Sequence, residues 1–61
     1  MNAELKELLD SLGGAASVAR RIGITRQAVQ QWQNRVPEAS AWRLLRAFPH
    51  IDVEELAALV E

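Results

Sequence analysis

Residues 14–34 read Gly-Ala-Ala-Ser-Val-Ala-Arg-Arg-Ile-Gly-Ile-Thr-Arg-Gln-Ala-Val-Gln-Gln-Trp-Gln-Asn. The pattern predicts a short helix, a one-glycine turn and a second helix. Val18, Ala19 and Ile22 form one apolar face on the first of these, and the small side chain of Ala19 lets the second helix cross closely over it. Gly23 supplies a sharp turn that a residue with a Cβ resists. Ile24 then points to the core, and Thr25 is placed to cap the second helix by accepting from a free N–H near Gln27 or Ala28. Val29 and Trp32 share that helix's inward face, which leaves Arg26, Gln27, Gln30, Gln31 and Asn34 pointing outward.

That outward set has a definite chemistry. A Gln amide carries a donor and an acceptor that match the N6/N7 edge of adenine, and the Arg26 guanidinium suits the O6/N7 edge of guanine. For any one Gln, a solvated face is the simpler reading, because Gln is a good helix former. Taken with the glycine turn and the cap, the set points to base readout in a DNA major groove, with Arg26, Gln27, Gln30 and Gln31 as the contacts. Phosphate contacts are expected from the first turn of the preceding helix, Ala15, Ala16 and Ser17, and from Asn34 and Arg35, while Arg43, like Arg20, either reaches a phosphate, pairs with Glu38 or covers apolar surface with its stem.

Charge supports this reading once its distribution is considered. The chain has 61 residues and a net charge of −1. Residues 20–46 carry Arg20, Arg21, Arg26, Arg35, Arg43 and Arg46 against Glu38 alone, a net +5, while residues 1–19 carry −2 and residues 47–61 carry −4. A basic segment between acidic flanks attracts phosphate locally but binds non-specific DNA weakly, since few counterions are released.

The rest of the chain reads as helices. Leu5, Leu8, Leu9 and Leu12 fall at i, i+3, i+4 and i+7, predicting a helix over 2–12 that Gly13 ends. Further helices are expected over 15–22, 26–34, 37–47 and 53–60, with Pro37 opening the fourth. Asp52 and Glu55 have capping-box spacing at the start of the fifth. No segment alternates with period two, so the expected fold is all-α: a single five-helix domain over 1–61 with its helix-turn-helix at 15–34.

The fourth helix carries Ala39, Ala41, Trp42, Leu44, Leu45 and Ala47, and Phe48 follows, which is too wide an apolar surface for one small core. Part of it is expected to meet a second copy, with Trp42, Phe48, Val53, Leu56 and Val60 as the interface within a dimerisation region at 42–60; Leu56 serves a monomer core equally well. A protein of this size with no cysteine has neither disulfides nor thiolate zinc sites to hold it. His50 is the sole histidine, and no carboxylates cluster on one helix face, so neither catalysis, a metal, a cofactor nor a small-molecule substrate is expected. No apolar run suggests a membrane span, and the Glu4 and Glu7 positions are unlike a signal peptide, so a cytoplasmic location in a bacterial or phage-infected cell is expected.

Three stretches carry a family resemblance: Val18-Ala19-Arg20-Arg21-Ile22-Gly23-Ile24-Thr25, then Ala28-Val29-Gln30-Gln31-Trp32, then Val36-Pro37-Glu38 with Ala41-Trp42-Arg43-Leu44. In these the chain resembles the Cro repressors of lambdoid phages, in their all-helical, lambda-repressor-like branch, and the related YdaS-type regulators. The resemblance implies a transcriptional repressor that binds a pseudo-palindromic operator as a dimer, with Thr25, Arg26, Gln27, Gln30 and Gln31 at the groove-facing positions. Gly14 departs from the pattern, standing where such proteins often carry Thr as a cap. A rival reading is an antitoxin-like module whose C-terminal helices grip a partner protein.

Overall fold

Three of the five helices begin on a side chain that accepts hydrogen bonds from their own first turn. Asn2 Oδ1 accepts from the Glu4 and Leu5 amides at 2.8 and 3.3 Å, opening α1 (Ala3–Ser11). Thr25 Oγ1 accepts from the Ala28 amide at 3.0 Å, opening α3 (Arg26–Gln30). Asp52 Oδ1 accepts from the Glu55 amide at 3.1 Å, opening α5 (Val53–Leu59). Such caps satisfy amides that have no partner within the helix. The other two, α2 (Ala15–Ile22) and α4 (Glu38–Ala47), start without a side-chain cap, at Gly14 and Pro37. Pro37 thus sits just outside its helix and not at the first helical position.

The computed structural model describes all 61 residues, Met1–Glu61. Its one core draws on every helix: Leu5, Leu8 and Leu9 from α1, Val18, Ala19 and Ile22 from α2, Val29 from α3, Ala41 and Leu44 from α4, Leu56 and Leu59 from α5, with Val36 and Ile51 from the connections. The leucine stripe of α1 is the one read from its spacing, and each such fully buried side chain stabilises the fold by about 1.5–3 kcal/mol. No polar or charged residue is buried. The core is therefore wholly apolar, and directional bonds around it set how the helices join. No helix is long and apolar enough to cross a membrane.

Gly23 adopts φ 78° in the left-handed region, and its amide donates to the Ala19 carbonyl at 2.9 Å as α2 ends. This is the sharp turn expected between the two central helices, and the missing Cβ is what makes it cheap.

The third helix is shorter than its sequence suggests. Regular α-geometry stops at Gln30, not at residue 34, and residues 31–34 form turns. Gln33 takes a left-handed φ of 55°, and its carbonyl accepts from the Asn2 amide at 2.7 Å. That reversal delivers Val36 into the core, where it pairs with the C-terminal segment: its amide donates to the Leu59 carbonyl at 2.7 Å and its carbonyl accepts from the Glu61 amide at 3.0 Å. The result is a one-residue parallel bridge between Val36 and Val60, and α5 ends at Leu59 because Val60 has turned to an extended conformation to make it. Helical propensity through Trp32 loses to a tertiary pairing that satisfies two backbone groups and buries a valine.

Candidate nucleic-acid interface

The arrangement of α2, Gly23 and α3 presents the polar face anticipated from the sequence. Arg26, Gln27, Gln30 and Gln31 are all exposed, and none of their side chains bonds to the rest of the chain. Val29, at 0% exposure, and the half-buried Trp32 anchor the opposite face in the core. Trp32 packs against the core as its spacing from Val29 predicts. Although helical geometry ends at Gln30, Gln31 keeps right-handed helical dihedrals as the C-cap and stays in register with the amide face. Asn34 lies beyond the helix in the turn, exposed.

The first turn of α2 has no side-chain cap, which leaves the leading amides of Ala15, Ala16 and Ser17 without an intrahelical partner. Ala15 lines a shallow cleft with Lys6, Asp10, Arg26 and Gln30, so the N-terminus of α2 and the polar face of α3 border the same space. Lys6 has no local signal in the sequence that marks it for this place. It lies on α1, and only the tertiary packing of the helices brings it to this cleft.

Electrostatics favour an anionic partner. The single ion pair in the molecule joins Lys6 to Asp10 at 3.3 Å, and none of the six arginines meets a carboxylate. Arg21, Arg35 and Arg43 turn instead to backbone carbonyls near helix C-termini, a favourable position for a cation. Arg21 Nη2 donates to the Ala47 carbonyl at 2.7 Å with its guanidinium carbon 4.9 Å from the centre of the Phe48 ring. Arg35 Nη1 donates to Ala58 at 2.8 Å, and Arg43 Nη1 approaches the Ile22 carbonyl at 3.5 Å. The role of Arg21 had no local signal, because its partners lie 26 and 27 residues further along the chain.

The residues expected to form an interface between copies do not share one environment. Trp42 and Val53 are 61% and 58% exposed and border a groove of about 340 Å³ between α4 and α5. Val60 is half-buried at its edge, where it completes the bridge to Val36. Leu56 is 2% exposed, belongs to the core and also forms part of the groove's floor. Phe48 is half-buried beneath Arg21 and does not line the groove. A large exposed Trp beside an apolar groove is the kind of surface that a second molecule covers.

Five helices, a left-handed glycine turn and an exposed amide face define a helix-turn-helix domain of the kind that reads duplex DNA. A family model described as "DNA-binding transcriptional regulator Cro" matches residues 4–47, well over half of the chain. The chain belongs to this P22-type Cro family. It is 41% identical over 39 residues to the regulatory protein cro of Salmonella phage P22, an alignment that covers 64% of this chain and 64% of that relative. The chain thus spans somewhat under two thirds of the length of the curated relative. No solved structure matches it significantly.

Proposed function

We propose that this chain is a sequence-specific transcriptional repressor that binds double-stranded DNA and reads a pseudo-palindromic operator as a dimer through the major groove. The observation that carries the proposal is the free amide-and-arginine face of residues 26–31, rigidly backed by Val29 and Trp32. With the N-terminal end of α3 toward the bases, Arg26, Gln27, Gln30 and Gln31 read their edges. The α2 amides at Ala15, Ala16 and Ser17, with Thr25, Asn34 and Arg43, hold the phosphates and set the register. Arg35 contributes there only through the N–H groups not directed at Ala58.

Size supports the dimer. The longest extent of the Cα trace is 24 Å. Successive major grooves on one face of DNA are about 34 Å apart, so one copy cannot engage two of them, whereas two side by side can. The reading unit is then residues 15–34 and the dimer contact lies within 42–60, carried by Trp42 and Val53 with Val60 at the edge.

Selection of bound sites from random duplex DNA tests both parts. A two-fold symmetric consensus is the expected result. An asymmetric consensus sinks the dimer, and no enrichment at all sinks the repressor reading. In that last case a partner protein held in the α4–α5 groove, the antitoxin-like alternative, becomes the function to pursue.

A further inference from the structure

Three arginines meet where no carboxylate is present. Arg21 from α2 and Arg43 and Arg46 from α4 line one cleft, together with Ile22 and Ala47. Helix-terminus chemistry accounts for part of this, since Arg21 is held by the Ala47 carbonyl and Arg43 lies near that of Ile22. It does not account for Arg46, which forms no hydrogen bond or ion pair within the chain. Three guanidiniums, two of them oriented by carbonyls and each retaining N–H donors, have the fork geometry that takes a phosphate.

We infer that Arg21, Arg43 and Arg46 form a binding site for a backbone phosphodiester at the edge of the groove that α3 enters. The inference rests on the DNA-binding reading and extends it to a second grip on the duplex. Position supports the phosphodiester as occupant. Ile22, which lines this cleft, precedes the Thr25 cap of the reading helix by three residues, so the two lie within roughly 11 Å even if the connection is fully extended. At the other end of α2, Ala15 borders a cleft that holds Arg26 together with Lys6 and its ion-pair partner Asp10. The eight residues of α2 separate these arginine-bearing clefts by about 11 Å at ~1.5 Å per residue. The major groove is about 12 Å wide. A cleft carrying an unpaired arginine at each end of α2, Arg46 at one and Arg26 at the other, thus matches the spacing of the two sugar-phosphate walls of one groove.

The test uses the whole chain with Arg43→Gln, Arg46→Gln and the double substitution, titrated over a range of salt concentrations onto a selected duplex and onto a random one. Folding of Arg46→Gln is not at issue, because that side chain bonds to nothing in the chain. Each substitution is expected to lower the slope of log K against log salt, and the double substitution to lower it by about 0.9, the share of one phosphate. It should weaken binding to both duplexes by the same factor and leave their affinity ratio unchanged. Slopes equal to the parent's for both single variants and the double overturn the assignment. A parallel titration with inorganic phosphate, followed by the arginine Nε–Hε NMR signals, separates the sources: shifts with free phosphate but none with duplex make this a free-anion site and also overturn it. A parent that binds all duplexes alike sinks the repressor reading and leaves the slope measurement intact, since backbone contacts do not depend on sequence.

Discussion

Arg35 and Ala58 are joined by a hydrogen bond of 2.8 Å from a guanidinium to a backbone carbonyl, tying the exit of the reading segment to the end of α5. Beside it, Val36 bonds to Leu59 and Glu61 through the backbone. Residues 58–61 therefore hold the turn that reverses α3 and join it to the groove-bearing half. Arg35→Ala should remove about 0.5–1.5 kcal/mol, the net worth of such a bond. In a domain this small, 1 kcal/mol corresponds to a fall of about 4–8 °C in Tm. Thermal unfolding measures this, and hydrogen exchange at Val36 and Glu61 should quicken in step. An unchanged Tm means the tie contributes nothing.

Gln27 and Gln31 are exposed and unbonded within the chain, so removing their amides should not disturb folding. The double substitution Gln27→Ala with Gln31→Ala is expected to keep the parent's Tm and its affinity for random duplex. Discrimination between the selected and random sequences should drop by about 1–3 kcal/mol for each bidentate amide–base pair removed. Competition binding reports the ratio, and a double variant as selective as the parent places base readout elsewhere. Binding to a protein partner through the C-terminal helices, if it occurs, should survive the change.

Gly14 invites replacement by Thr to supply the cap that α2 lacks. The backbone argues against it: Gly14 has φ 95° and ψ 166°, a region that is essentially reserved for glycine. The gain over glycine at a cap is a few tenths of a kcal/mol, whereas strain there costs about 1–3 kcal/mol. Gly14→Thr should therefore lower the denaturant midpoint despite open space around the new Cβ. A raised midpoint would show that the backbone relaxes at little cost.

Trp42 and Leu56 should respond in opposite ways. Leu56→Ala removes a core side chain and is expected to cost about 2–5 kcal/mol of folding stability. Trp42→Ala, on an exposed ring, should leave monomer unfolding nearly unchanged while abolishing the concentration dependence of sedimentation. Equal association by parent and Trp42→Ala excludes this face as the dimer contact.

Much of the molecule was legible in local sequence because its causes are local. The α1 leucine stripe, the Thr25 and Asp52 caps and the Gly23 turn each depend on residues within a few positions, and each appears as read. The amide face of α3 was legible for the same reason, since helical spacing alone sends Arg26, Gln27 and Gln30 away from Val29.

What only the tertiary structure decided involves partners distant in sequence. Local signals carried α3 on to residue 34, but the bridge between Val36 and Val60 and the Asn2–Gln33 bond end it at Gln30. Spacing left Leu56 undecided between core and interface, and the closure of α5 over the core buries it. It also gave no warning that Arg21, Arg43 and Arg46 would converge, or that Lys6 would stand beside Arg26. Short-range rules act through the chain's own geometry and can be read along it. These juxtapositions arise when helices meet across a shared core, and the packing that brings them together is a property of the whole fold.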